Sequence, residues 1–390
     1  MIVRAGLLYD GTLDPPRRNV DIAIDGERIT EIRNAAEGGT YDLSAACVTP
    51  GLVNAHAHLI MSGEPDTMSS LLAMSTSQRL LRAVENARKS LESGVTTIRD
   101  VGTSDRIAID VRDAIDAGRI PGPRIRAAGA ILCMTGGHGW FAGRMVDGPW
   151  DARKAVREQL WAGADCIKVI ATGGVLTKGA VPGNAQLLPE ELDAAVSEAH
   201  RHGMRVASHA IGTEGIKNAL RAGIDSVEHG YMLDDEAIEL FLKHGTYLVP
   251  TLTAPTCIIE NIHDGKQPHW VLEKAEVVSE AMHRNTRRAF EAGVKVAGGS
   301  DAGTPFNFHD NYAYEVELMH TLLGMTPQQA LHAATSVAAE LIGLHRGTLA
   351  SCEPADLLLM SRDAGSDIRA LREIHTVIKG GSAVRSGAQP

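Results

Sequence analysis

VTPGLVNAHAH, residues 48–58, is a short apolar run that ends in two histidines, and it decides how the rest of the chain is interpreted. Alternate side chains of a β-strand point to the same side, so His56 and His58 face together, roughly 6.5 Å apart along the chain. Two imidazoles at this spacing are close enough to bind one metal ion. A surface His-x-His pair in a turn is the alternative, and the rest of the chain has to distinguish the two.

Four more potential ligands lie in short apolar, β-branched or glycine-bounded runs. Lys168 lies in CIKVI, His209 in RVASH, His229 in SVEHG and Asp301 in VKVAGGSD. Each run has the composition of a buried parallel strand. Functional residues at the carboxyl ends of strands are typical of a (β/α)8 barrel, whose active site is built at that face.

The spacing of such runs predicts eight strands, at residues 48–58, 95–101, 124–132, 166–173, 205–211, 226–232, 246–252 and 295–301. The third is the least clearly delimited. Helix-like segments with apolar residues three to four apart lie between them, including 77–93, 151–164, 189–202 and 234–244. This alternation predicts an α/β fold, a TIM-like (β/α)8 catalytic barrel over residues 50–347.

The two ends of the chain have a different pattern. Residues 1–49 contain short alternating runs separated by turn signals such as Asp25-Gly26, and residues 348–390 repeat this style. We expect both ends to form one small β-sandwich domain into which the barrel is inserted. Two unrelated terminal segments are the alternative.

Composition excludes several functional classes. The 390-residue chain carries a formal net charge of −10, which argues against a nucleic-acid partner. Its five cysteines show no paired spacing, so we expect them to be reduced and buried instead of forming disulfides. No signal-like start and no run of ~18 apolar residues is present, which predicts a cytoplasmic protein without a membrane partner.

Taken together, the motifs resemble those of the amidohydrolase superfamily over essentially the full chain. The resemblance rests on NAHAH (54–58), IKVIATGG (167–174), SHA (208–210), EHG (228–230) and GSDAG (299–303). More narrowly, the chain is similar to the branch of prolidases and imidazolonepropionases, metal-dependent dipeptidases and amidases. This resemblance implies two divalent metal ions, with zinc suited to the imidazole ligands.

The resemblance also implies a role for each ligand. His56 and His58 with Asp301 would hold the more buried ion, and His209 and His229 the second. A free ammonium has no lone pair and repels a cation. In this superfamily the lysine at the position of Lys168 reacts with carbon dioxide, and the resulting carbamate bridges the two ions. A structural lysine at the barrel mouth is the alternative.

Catalytic and substrate-binding roles follow from the same resemblance. A hydroxide shared by the two ions would attack the amide, and Asp301 would move its proton to the leaving amine; an Asp301 that only caps a helix is the alternative. His138 and Tyr231 would polarise the scissile carbonyl or hold the oxyanion. Arg144 could pair with a substrate carboxylate. Solvated or packing roles are the alternatives for these three.

The sequence therefore predicts an amide hydrolase whose partner is a small molecule, either a dipeptide, of Xaa-Pro type or similar, or an N-acyl amino acid. Hydrolysis of another amide-like bond, in a lactam, a carbamate or a toxin amide, is the first alternative. A mononuclear deaminase is a further alternative, against which Lys168 argues, and a non-catalytic scaffold should have lost a ligand. We also expect a homo-oligomer.

Overall fold

The computed structural model describes residues 1–344 and 346–386. Residues 387–390 of the predicted small domain and residue 345 of the predicted barrel lie outside the described residues. The strands are β1 (Ile2–Leu8), β2 (Arg17–Asp25), β3 (Arg28–Asn34), β4 (Leu43–Pro50), β5 (Leu52–Ala57), β6 (Val95–Asp100), β7 (Arg124–Ala127), β8 (Ile131–Cys133), β9 (Gly143–Met145), β10 (Cys166–Ile170), β11 (Arg205–Ala210), β12 (Ser226–His229), β13 (Tyr247–Val249), β14 (Leu357–Met360), β15 (Ile374–Lys379) and β16 (Ser382–Ser386).

The helices are α1 (Thr67–Ala73), α2 (Thr76–Glu92), α3 (Ile107–Asp116), α4 (Pro149–Ala162), α5 (Pro189–Arg201), α6 (Thr213–Arg221), α7 (Asp235–His244), α8 (Thr253–Glu260), α9 (His269–Glu291), α10 (Tyr312–Thr321), α11 (Pro327–His332) and α12 (Ala338–Ile342). Short 3₁₀ turns lie at Trp140–Ala142, Ile262–Asp264 and Ile368–Arg372, and a π-helical turn at Ala333–Val337 joins α11 to α12. The predicted helices are confirmed as α2, α4, α5 and α7, each within two residues at both ends.

Strands from both chain ends form one seven-stranded sheet in the order β16-β15-β14-β4-β1-β2-β3. In its middle, β4 pairs parallel with β1 and antiparallel with β14. Buried side chains from the two ends, including Val20, Ile22, Leu357 and Leu359, share one apolar cluster. Strands β4 and β14 are hydrogen-bonded side by side and join the two ends into a single sheet, so the two chain ends belong together; the sandwich arrangement of this domain stays a prediction.

The remaining strands are parallel and form two sheets, β13-β12-β11-β10-β8-β9 and β5-β6-β7. The predicted third strand is divided between them. It is broken at Gly129, whose φ of 67° lies in the left-handed region that ends an extended run. Its first half, β7, pairs with β6, and its second half, β8, pairs with β10.

The predicted eighth strand is not a regular strand, but its backbone contacts both parallel sheets. On one side Leu248 N–H donates to the Lys295 carbonyl (2.8 Å), and Ala297 N–H donates to the Leu248 carbonyl (2.9 Å). On the other side Asp301 N–H donates to the carbonyl of His56 (2.9 Å). Residues 295–302 therefore lie between β13 and β5 and carry Asp301 to the end of the histidine strand.

Most of the apolar core lies between the parallel strands and the helices around them. Ile98, Ile167, Val206 and Val227 of the strands are fully buried in one continuous cluster with residues of the helices. All five cysteines are free; four are buried, as predicted, whereas Cys352 is exposed. Among the described residues, no helix combines the length and apolar character needed to cross a bilayer.

Gly299 provides a test of the contact between residues 295–302 and β5. A Cβ at this position would lie 2.5 Å from Val249 Cγ1 and 2.9 Å from His56 Cβ. Gly299→Ala is therefore expected to lower the free energy of unfolding by roughly 1–3 kcal/mol, measured by denaturant titration. Gly183→Ala is the control, because its nearest neighbour, Met232 Sδ, is 3.9 Å away. Equal stability of the two variants would contradict the close contact.

Candidate active site

The six predicted metal ligands lie around one cavity at the carboxyl ends of the parallel strands. They are His56, His58, Lys168, His209, His229 and Asp301. Strands β5, β10, β11 and β12 carry them, apart from His58, which directly follows β5, and Asp301, which lies on the connecting segment. Parallel strands end at the same edge of a sheet, so residues far apart in sequence meet there.

His56, His58 and Asp301 form the tightest group. The Nε2 atoms of His56 and His58 lie 3.3 and 3.4 Å from Asp301 Oδ1. Within the described part of the chain, one ligand atom from each of these three residues can be chosen so that all lie within 4.8 Å of one another. Two imidazole nitrogens and one carboxylate oxygen are a suitable set for a zinc-like ion.

His209 and His229 lie next to this group. Their ring centroids are 4.5 Å apart, and the centroid of His229 is 5.3 Å from that of His56. The four histidines therefore form one continuous cluster of imidazoles. The sequence prediction places a second ion at the His209 and His229 end of it.

Each of these histidines has one ring nitrogen hydrogen-bonded to a group outside the cluster. The pairs are His56 Nδ1 with Glu228 Oε2 (2.7 Å), His58 Nδ1 with the Gly102 carbonyl (3.1 Å), His209 Nε2 with the Gly173 carbonyl (3.0 Å) and His229 Nδ1 with Thr251 Oγ1 (2.7 Å). Metal-binding histidines use their second nitrogen in this way, because the bond fixes the tautomer and the ring orientation.

Burial favours the neutral form of three of these imidazoles, those of His58, His209 and His229. Desolvation lowers the pKa of His58 to about 4 and lowers the pKa values of His209 and His229 well below the ordinary range. A protonated imidazole has no lone pair for a cation, whereas a neutral one has. At neutral pH these three imidazoles are therefore available for metal binding without first losing protons.

Lys168 is buried against the same cavity, with 2% of its surface exposed. Its Nζ has no hydrogen-bond partner among the described residues. Desolvation lowers the pKa of this amine to about 8, against the opposing effect of Glu228 and Asp301. Burying an amine without a hydrogen-bond partner costs the fold free energy, and a chemical role is one explanation for its presence.

Asp301 is held in an unusual backbone conformation. Its φ is 58°, in the left-handed region that a residue with a Cβ seldom adopts. Burial alone would raise the pKa of its carboxyl, but His56, His58 and His229 together outweigh burial and hold that pKa well below the usual range. The side chain is therefore a carboxylate, able to bind a cation or to accept a proton.

His138 and Tyr231 lie where the sequence predicts them, in the cavity wall. The ring of His138 packs on His209 with centroids 4.4 Å apart, and its Nδ1 is 2.8 Å from Thr177 Oγ1. The Tyr231 hydroxyl lies 3.0 Å from the Thr251 carbonyl and 2.8 Å from Thr251 Oγ1. Burial raises the pKa of Tyr231 well above its ordinary value, so the phenol is a hydrogen-bond donor and not a base.

Arg144 is not brought to the site. It is absent from the described residues that line the cavity. Both of its terminal nitrogens pair with the carboxylate of Asp151 at 2.7 Å, and its Nε pairs with Glu158 at 2.9 Å. The prediction that it binds a substrate carboxylate is corrected, because two acidic groups of α4 already satisfy the guanidinium.

The cavity also has an apolar wall, which was not predicted from the sequence. Its side chains come from the strands β8 and β10, from loops and from short helical segments: Met61, Ile131, Phe141, Ile170, Val175, Leu176, Ile211, Ala254, Pro255 and Ile258. Among the described lining residues, Lys168 is the only lysine or arginine. The space beside the imidazoles is therefore suited to apolar groups of a ligand.

A buried carboxylate positions part of this wall. Glu315 accepts hydrogen bonds from the backbone N–H groups of Leu252 (2.9 Å) and Thr253 (2.7 Å) and from the Thr253 hydroxyl (2.6 Å). These donors lie at the start of α8, directly after Thr251. Glu315 therefore holds in place both the α8 part of the wall and the hydroxyl that orients His229. Only the folded chain brings it there, 62 residues away from Thr253 in sequence.

Thr251→Val tests the hydrogen bond to His229. The substitution keeps the β-branched shape but removes the hydroxyl, so the imidazole loses its orienting partner. We expect the affinity for zinc to fall roughly 10–100-fold, measured by competition with a chromogenic chelator. Thr246→Val is the matched control, because this buried threonine donates to the Ile224 carbonyl (3.1 Å), which does not line the cavity. Equal zinc affinity of the two variants would show that the Thr251 bond does not orient a ligand.

Comparison with known proteins agrees with this geometry. Residues 47–384 match the model of the amidohydrolase family. Ochratoxinase from Aspergillus niger is 30% identical over 424 aligned positions, which cover 97% of this chain and 85% of that protein. Imidazolonepropionase from Cutibacterium acnes is 26% identical, over 88% of this chain and 84% of that protein.

Similarity to solved structures is also extensive. The crystal structure of a Xaa-Pro dipeptidase with bound methionine in the active site superposes with a TM-score of 0.91 at 34% identity, over 99% of both chains. The crystal structure of Aspergillus niger ochratoxinase gives 0.87 at 28% identity, over 99% of this chain and 95% of that one. The resemblance drawn from the motifs is thereby confirmed. The chain belongs to the amidohydrolase family and is a hydrolase that acts on carbon–nitrogen bonds.

Proposed function

We propose that this chain is a binuclear-metal amidohydrolase that cleaves the amide bond of a dipeptide, of Xaa-Pro type or similar, or of an N-acyl amino acid. One observation carries the proposal. Four histidines, three of them buried and His58 partly buried, each have one nitrogen already hydrogen-bonded and line the same cavity as Lys168, whose amine has no partner among the described residues. The similarity to a Xaa-Pro dipeptidase supports this substrate class.

The donor set fits two divalent ions, for which zinc is the best match to imidazole and carboxylate ligands. His56, His58 and Asp301 would hold the first ion, and His209 and His229 the second. When bound, the ions would supply an activated water and polarise the amide carbonyl.

Lys168 would join the two ion sites after modification. Its neutral amine would attack carbon dioxide, forming a nitrogen–carbon bond and releasing one proton, so that the side chain ends in a carbamate. A carbamate has the charge and shape of a carboxylate and can bind a cation at each oxygen. The burial of Nζ beside the imidazole cluster, without a hydrogen-bond partner among the described residues, supports this role.

The remaining steps belong to side chains of the chain itself. Asp301 would accept the proton of the attacking water and pass it to the leaving amine nitrogen, as its ionised carboxylate allows. The Tyr231 phenol, once its O–H turns away from the Thr251 carbonyl, or the ring of His138, would donate a hydrogen bond to the carbonyl oxygen as negative charge develops there. The apolar wall of the cavity would exclude bulk water and so strengthen these electrostatic interactions.

Hydrolysis of a neutral amide-like bond, such as that of a lactam, carbamate or toxin amide, is a second candidate. The position of Arg144 favours it, since no arginine among the described residues lines the cavity to pair with a substrate carboxylate. If the substrate does carry a free carboxylate, His138 and Tyr231 are the hydrogen-bond donors in the cavity wall that could bind it.

We further propose that the parallel strands close into one (β/α)8 barrel over residues 50–347, with a separate domain formed by residues 1–49 and 348–390. The hydrogen bonds from residues 295–302 to both β13 and β5 support closure at the eighth position. The seven-stranded sheet formed by both chain ends supports the second domain.

Replacing Lys168 tests the bridge. Lys168→Ala is expected to bind fewer metal ions than the nearly two per chain expected of the wild type and to lose most activity, because the bridging group is gone. Added formate or propionate should partly restore both. Elemental analysis and turnover measure these effects, with the exposed Lys178→Ala as control. A Lys168→Ala protein that kept both ions and near-normal turnover would refute the carbamate.

A substrate comparison tests the function itself. Zinc-loaded enzyme should hydrolyse apolar dipeptides and N-acyl amino acids, and amidation of their free carboxylate should lower kcat/KM sharply. Asp301→Asn is the negative control, with kcat lowered at least ~10²-fold through loss of the proton acceptor. Equal rates on free-acid and amidated substrates would favour the second candidate. No hydrolysis of any amide by fully loaded enzyme would contradict both.

A further inference from the structure

The loop that follows β10 contributes to the candidate active site in two ways. We call its residues 173–177 the rim segment. Val175 and Leu176 of this segment line the cavity. Its last residue, Thr177, places Oγ1 2.8 Å from Nδ1 of His138. The rim segment therefore supplies part of the apolar wall and also the hydrogen-bond partner of a histidine for which a catalytic role is proposed.

The orientation of the His138 ring depends on Thr177. The backbone N–H of His138 donates to Gln186 Oε1 (2.9 Å), but that bond does not fix the ring. Burial lowers the pKa of His138 to about 3, so the ring is neutral and has one donor and one acceptor nitrogen. A Thr177 hydroxyl that donates to Nδ1 leaves the proton on Nε2, and in this form the ring can donate to a carbonyl oxygen. The rim segment also packs directly on the ring, since a Cβ on Gly174 would lie 2.4 Å from His138 Nε2.

One side chain from another element holds the backbone of the rim segment. Lys274 of α9 donates from Nζ to the Thr177 carbonyl (2.6 Å) and, over a longer distance, to the Gly174 carbonyl (3.4 Å). Among the described residues, no other side chain is hydrogen-bonded to the backbone of residues 174–177. The N–H of Ala180 also donates to the Thr177 carbonyl (3.2 Å), but it belongs to the same loop. Lys274 is therefore the hydrogen-bonded link between the rim segment and α9.

The charge of Lys274 is available for these two carbonyls. Within the described part of the chain Lys274 forms no ion pair with a carboxylate, and its Nζ lies 4.9 Å from the ring centroid of Trp270 on the same helix. A charged donor makes stronger hydrogen bonds than a neutral one. Val175 and Leu176 also pack against the apolar cluster of α8 and α9 that includes Val271. The rim segment and α9 thus meet through apolar contacts and through the bonds from Lys274.

We propose that Lys274 is a positioning residue for hydrolysis, which acts through the rim segment to fix the ring of His138 and the wall formed by Val175 and Leu176. This inference rests on the proposed function, in which His138 donates a hydrogen bond to the carbonyl oxygen of the substrate. Lys274 is not one of the described residues that line the cavity. Its effect on the reaction therefore passes through the residues that it holds.

The metal ligands should not depend on Lys274. The Gly173 carbonyl is hydrogen-bonded to His209 Nε2 (3.0 Å), but Gly173 is held separately, because its N–H donates to the Asn184 carbonyl (2.9 Å). Loss of Lys274 should therefore disturb His138 and leave zinc binding in place. This difference separates a positioning role from a general loss of structure.

A double-mutant cycle on zinc-loaded enzyme tests the proposal. Lys274→Met keeps an unbranched side chain but removes the donor, so kcat for an amide substrate should fall roughly tenfold, as expected for the loss of a charge-assisted hydrogen bond. In a His138→Ala background the same substitution should lower kcat by less than about twofold, because the residue through which it acts is gone. Zinc content should stay the same in all of these proteins.

Two further variants serve as controls in this cycle. Lys274→Arg keeps a charged donor and should retain most of the activity. Lys266→Met should behave like the wild type, because the Nζ of Lys266 pairs with Asp264 (3.1 Å). An equal loss of kcat with and without His138, or a loss of zinc in Lys274→Met, would overturn the proposal.

Limited proteolysis tests the contact without relying on catalysis. Lys178 is exposed and directly follows the rim segment, so trypsin can cleave after it when the segment opens. Lys274→Met should be cleaved there roughly tenfold faster than the wild type or Lys266→Met. Equal cleavage rates would overturn the proposal. If the wild type hydrolysed no amide, the proposed function would fail, and the cleavage rates would still decide whether Lys274 holds the rim segment.

Discussion

The buried ion pair between Arg99 and Glu228 constrains the whole site. Arg99 Nη2 lies 2.9 Å from Glu228 Oε1, and both side chains are almost completely buried. The other oxygen of Glu228 binds His56, and Arg99 Nε donates to the Ala55 carbonyl (2.7 Å). Leaving either charge unpaired at this depth would cost several kcal/mol. Strands β5, β6 and β12 must therefore keep the arrangement that pairs them, and that arrangement orients the first histidine.

The other histidines of the cluster are also oriented by buried polar groups. Burial favours the neutral imidazoles of His58, His209 and His229, and a neighbouring carbonyl or hydroxyl then decides which nitrogen faces the cavity. The Thr251 hydroxyl is hydrogen-bonded to both His229 and Tyr231, and Glu315 accepts hydrogen bonds from the backbone that follows Thr251. The chemistry thus depends on groups that would never touch a substrate. Their rigidity keeps the neutral ligands in place before any ion binds.

Polar residues outside the cluster show how local charge decides a side chain's position. Arg144 is close in sequence to His138, but Asp151 and Glu158 of α4 are within its reach and pair with it. The cavity is left with an apolar wall and few hydrogen-bond donors. Because this wall is apolar, we infer that the substrate carries apolar groups.

The sequence by itself predicted the six polar residues that meet at the cavity and the parallel α/β pattern, because both depend on local periodicity. His56 and His58 face together in any strand, and the helix α2 follows from its own spacing of apolar residues. Only the tertiary structure decided the break at Gly129 and the single sheet formed by both chain ends. It also decided that Glu228 pairs with His56 and Arg99, and that Arg144 pairs with residues of α4 outside the cavity. These depend on contacts between residues distant in sequence, or on competition among partners that only the folded chain brings within reach.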